Sequence, residues 1–86
     1  MIVKTKLTEL QDELMPQFEN VCLRGRGASS FVYVLEKGRA VEVSEENGGF
    51  WLEFWDRSDD EDAPPVKEMT LESPEQVLRE IRRWLA

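Results

Sequence analysis

Trp51-Leu52-Glu53-Phe54-Trp55 sets a carboxylate between two indoles at alternate positions of an apolar run. Glu42 supplies a second carboxylate nearby in the sequence, and Tyr33 a phenol. Two carboxylates brought to about 5 Å split their pKa values and can work as acid and base, and flanking aromatics suit a sugar ring. That chemistry is a carboxylate-pair hydrolase acting at Glu42 and Glu53. The same residues serve recognition equally well. Tryptophan and tyrosine make apolar anchors, and glutamates pair with arginine or lysine from a partner.

Little other chemistry is open to the chain. It contains no histidine, which excludes catalytic triads, zinc–histidine sites and imidazole proton shuttles. Cys22 is its one cysteine, so neither an intrachain disulfide nor a cysteine metal site can form. Within Val21-Cys22-Leu23 a cysteine is expected to behave as a small buried hydrophobe. The run from Asp56 to Asp62 invites a calcium-loop reading, but Glu61 stands where the loop needs glycine and Lys67 where it needs glutamate. Gly25-Arg26-Gly27 has two glycines at dinucleotide spacing, yet Ser30 occupies the third position and no strand-to-helix step follows. Neither a metal nor a cofactor is expected.

Charge narrows the partners. The chain of 86 residues has a formal net charge of −7. The excess lies in residues 36–72, where twelve acids face four bases, while residues 1–35 are neutral overall. Such a field repels phosphate backbones and anionic lipid and attracts basic protein surfaces. Nucleic-acid and membrane partners are therefore not expected. No apolar run approaches the roughly 18 to 20 residues a bilayer requires. The N-terminus has two lysines but no apolar stretch of signal-peptide length after them, and a cytoplasmic location is expected.

The elements that must position these residues are legible from periodicity and turn chemistry. Residues 1–86 make one domain's worth of chain. Leu7, Leu10, Leu14 and Phe18 recur at helical spacing, with Pro16 as a terminator. A short strand is expected at Val21–Arg24, then a loop over Gly25–Ser29. Lys37-Gly38 and Asn47-Gly48 are two-residue hairpin turns joining three strands between Phe31 and Trp55. Asp56–Pro65 reads as an acidic loop, and Val66–Leu71 as a further edge strand. Ser73, Pro74 and Gln76 open a last helix with a capping box, and Val77, Leu78, Ile81, Trp84 and Leu85 form its apolar stripe. Arg79, Arg82 and Arg83 crowd its final turns, where cations complement the helix dipole. The order predicts an α+β two-layer domain: an antiparallel sheet of 3 to 5 strands with the N-terminal and C-terminal helices packed on one face.

The two turns also predict the faces of the sheet. They set Val34 against Val41, Val32 against Val43, Val43 against Leu52 and Val41 against Phe54. One face then carries these residues with Phe50, and a one-residue slip in either hairpin would break it. The opposite face carries Phe31, Tyr33, Leu35, Ala40, Glu42, Ser44, Trp51, Glu53 and Trp55. Its aromatics are ordinary core if the 56–65 loop or the termini cover them. Uncovered, they mark a binding face for another protein or for a second copy of the chain. A flat sheet face excludes water poorly, so the hydrolase is the weaker reading. The expectation is a small acidic, non-catalytic interaction domain of inhibitor or immunity type, adaptor or chaperone-like. It would bind a basic or apolar protein surface, or form a homodimer, through Tyr33, Glu42, Trp51, Glu53 and Trp55.

Overall fold

Tight turns set the centre of the structure. In the computed structural model, which describes residues 6–56 and 64–86, both central residues of each hairpin turn have positive φ: 51° and 80° at Lys37-Gly38, 48° and 81° at Asn47-Gly48. This mirror-image turn matches the right-handed twist of the flanking strands. Asparagine and glycine enter that region readily, whereas Lys37 does so at a cost of roughly 1 to 2 kcal/mol. The strands joined by these turns are β2 (Phe31–Glu36), β3 (Arg39–Glu46) and β4 (Gly49–Asp56). Val32 pairs with Val43, Val34 with Val41, Val43 with Leu52 and Val41 with Phe54, the register that turn chemistry implies.

Two more strands complete the sheet. β1 (Asn20–Arg24) pairs with β2, and β5 (Lys67–Leu71) with β4, both antiparallel. The spatial order β1-β2-β3-β4-β5 is the sequence order, so each strand lies beside its chain neighbour. Of the expected acidic loop, residues 57–63 lie outside the described residues, and with them the expectation that this loop covers the sheet.

Both helices, α1 (Lys6–Leu14) and α2 (Pro74–Leu85), pack on the valine face. Leu7, Leu10 and Leu14 from α1 and Val77, Ile81 and Leu85 from α2 meet Val32, Val34, Val41, Val43, Phe50, Leu52 and Phe54. Every one of these side chains is buried, and none of the described residues buries a polar or charged side chain. Full burial of each such aliphatic or aromatic group is worth about 1.5 to 3 kcal/mol. This is the expected α+β two-layer domain, at the upper limit of five strands.

Phe18, expected on the apolar stripe of the first helix, lies beyond its end. Pro16 lacks an N–H and stops the helical ladder. The chain then turns so that the Phe18 amide donates to the Leu14 carbonyl at 3.1 Å, and the ring packs partly buried against the core. The second helix starts as its sequence demands. Ser73 Oγ accepts from the Gln76 amide, and Gln76 Oε1 accepts from the Ser73 amide, both at 3.3 Å. At its other end Trp84 meets Phe54 edge-on, with ring centroids 5.7 Å apart, and its indole N–H donates to the Trp55 carbonyl at 3.3 Å. That contact ties the last turn of α2 to the strand carrying the two sheet-face tryptophans.

Candidate partner-binding face

Alternation along each strand sends half of its side chains away from the helices. On β4 these are Trp51, Glu53 and Trp55, because Phe50, Leu52 and Phe54 take the core side. On β3 they include Glu42, directly opposite Glu53, and on β2 Tyr33, directly opposite Glu42. All five expected site residues therefore share one face, on three adjacent strands. Neither helix lies on it, since both pack on the other side.

The side chains differ in what they offer. Trp51, Trp55, Glu42 and Glu53 are half-buried. Tyr33 is only 8% exposed, which limits it to a supporting role at any contact. The Arg24 guanidinium stacks on its ring at 4.5 Å from the centroid and covers it. Ala40 is fully buried beside Leu35 and Trp55, its partners across the ladder.

The outer strands extend the row that runs through the two glutamates. From edge to edge it reads Cys22, Tyr33, Glu42, Glu53, Glu68. Three glutamates are thus consecutive across β3, β4 and β5. Directly opposite Cβ atoms lie about 5 Å apart, where like charges destabilise the pair. Sequence reasoning missed Glu68 because the connection before β5 contains no tight turn from which its register follows. The signal was nevertheless present: Met69 and Leu71 face the core, which turns Glu68 and Thr70 outward.

Cys22 corrects an expectation. Val21 and Leu23 align with Val34 and Val32 on the helix side, so the cysteine between them faces the other way, half-buried beside Tyr33. It accepts a hydrogen bond from Arg24 Nε at 3.3 Å. That hydrogen bond, then the fields of Cys22, Tyr33 and Glu42, raise the Arg24 pKa above its ordinary value. The guanidinium is a permanent cation on the β1 edge of the face.

A shallow recess of about 410 Å³ opens beside the glutamates, lined by Ser29, Ser30, Phe31, Glu42, Ser44 and Glu53 among others. It is a hollow in a sheet surface, without the walls that would sequester a substrate from water. Among the described residues there is no cluster of three ligating side chains suited to a metal ion, and no helix long and apolar enough to cross a membrane. Comparison of the chain with protein-family models, with curated proteins and with solved structures gives no match.

Proposed function

We propose that this protein is a small, acidic, non-catalytic recognition domain that binds a protein partner or a second copy of itself through the sheet face opposite its helices. One observation carries the reading: two half-buried indoles, Trp51 and Trp55, flank Glu53 on a face that neither helix covers. Aromatic side chains that offer about 150 to 250 Å² each are the usual anchors of an interface. An inhibitor or immunity-type protein, an adaptor and a small chaperone all fit the size and the acidity. A hydrolase using Glu42 and Glu53 is disfavoured by the open, wall-less setting of the pair. A half-buried free thiol, Cys22, suits the reducing cytoplasm, where we place the protein.

The test replaces both indoles. Trp51→Ala with Trp55→Ala is expected to leave the circular dichroism spectrum and the cooperative melt in place while association is lost, read as solution mass by light scattering for a second copy and by titration with a basic peptide for a protein partner. If the face is instead internal core, each truncation removes about 3 to 5 kcal/mol and the double variant unfolds. Acrylamide quenching on a Trp84→Phe background separates the same two cases in the unmodified face. Open indoles quench readily, and covered ones do not.

A further inference from the structure

We infer that the occupant of this face is an arginine-bearing surface of a basic protein, with one guanidinium seated over Glu53 between Trp51 and Trp55 and a second basic group at Glu68. The inference rests on the reading of the face as an interaction surface and adds what binds there. Glu53 stands between Glu42 and Glu68 in the ladder; Arg24, on β1 of the same face, acts on the Glu42 end of the row, and no outward strand position of β3, β4 or β5 carries a lysine or arginine. Folding alone is not served by Glu53 set directly beside Glu68; a cation laid across the two converts mutual repulsion into attraction.

Geometry selects arginine. Same-face neighbours on a strand are about 6.6 to 6.8 Å apart, so a planar cation paired with Glu53 needs to lean toward either indole by only about 1 Å to come within the roughly 6 Å range of a cation–π contact. A guanidinium can stack on a ring while its N–H groups fork onto a carboxylate, which an ammonium cannot do. Arg39 makes this double contact within the chain, 4.8 Å over Trp84 and 3.9 Å from the Asp56 carboxylate. Arg24 lies 4.5 Å over Tyr33 on the binding face, and Lys67 lies 4.8 Å over Phe54, so the ring contact alone is open to either cation and the fork onto the carboxylate is what favours arginine. A second copy fits less well. Face-to-face pairing would set one row of three glutamates against another and join two chains of net charge −7.

The probe is a capped hexa-arginine peptide, with hexa-lysine as its comparison, titrated into the isotopically labelled protein and followed by NMR. The indole N–H signals of Trp51 and Trp55 are expected to move, with hexa-arginine binding about fivefold tighter than hexa-lysine or better. E53Q with E68Q should weaken binding by about tenfold, whereas E9Q with E13Q, which removes the same charge from the exposed side of α1, should weaken it by no more than about twofold. Equal loss in the two charge variants, equal binding of the two peptides, or shifts confined to the helices or to residues 59–62 would overturn the inference. A dimeric mass with indole signals that change on dilution would also overturn it, while leaving the recognition face standing. Indoles that resist acrylamide and respond to neither peptide nor dilution would remove both.

Discussion

Glu53 has a like-charged neighbour directly across each side of its strand, Glu42 on β3 and Glu68 on β5. Neutralising it removes two unfavourable pairs and breaks no contact with the core. Glu53→Gln is therefore expected to raise the unfolding free energy by about 0.2 to 1 kcal/mol, read as a higher urea midpoint at unchanged slope. Marked destabilisation would mean that the ladder is not in this register. The same substitution is expected to weaken partner binding, so stability and function move in opposite directions at one residue. Sites under selection for binding commonly show that trade. Arg24 illustrates the converse. Its stack on Tyr33 covers an aromatic that would otherwise join the half-buried indoles of the face, which leaves the contact surface concentrated on β4.

At the scale of elements, α2 is the better-specified helix. Its capping box satisfies amide groups at both ends of the first turn, Pro74 occupies a position that needs no donor, and Arg82 and Arg83 complement the dipole at the far end. Ser73→Ala is expected to cost about 1 kcal/mol in thermal or urea unfolding, and Ser73→Asp considerably less. Helix α1 has no such box among its described residues. It is held by three buried leucines and by Lys6, whose ammonium donates to the Gly48 carbonyl at 3.0 Å in the β3–β4 turn. Ile81→Ala, at a fully buried position of α2, is expected to cost about 2 to 5 kcal/mol. The layer would loosen, but the sheet register would survive, because the turns set it and not the helix.

For the whole molecule, the net charge of −7 works against compactness. Among the described residues the ion pairs Arg39–Asp56 at 3.9 Å and Arg83–Glu80 at 3.7 Å are long and reach solvent, each worth about 0 to 1 kcal/mol. Screening should therefore remove more repulsion than attraction. Raising sodium chloride from about 0.01 to 0.3 M is expected to lift Tm by about 2 to 4 °C, in a scan at constant pH. The same salt should weaken binding of a basic partner, because that contact is charge-assisted. A Tm that fell with salt would mean that attractive pairs dominate the surface.

The order of amino acids alone set the centre of the sheet. Glycine-bearing two-residue turns admit one register, and with a side-chain period of two that register assigns every residue from Phe31 to Trp55 to a face. It determined the start of α2 equally firmly, because capping is a contact between residues three apart. Tyr33, Glu42, Trp51, Glu53 and Trp55 could thus be placed on one surface from local rules alone. The margins of the sheet were settled by long-range pairing. The register of β5, and with it the third glutamate of the row, depends on pairing across a long connection whose length says nothing about alignment. The outward turn of Cys22 depends on which side of an edge strand the helices choose to cover. The burial of Tyr33 depends on a guanidinium from a neighbouring strand coming to rest on its ring. Local chemistry is written in neighbouring residues, but contacts between distant strands exist only once the chain has closed around its core.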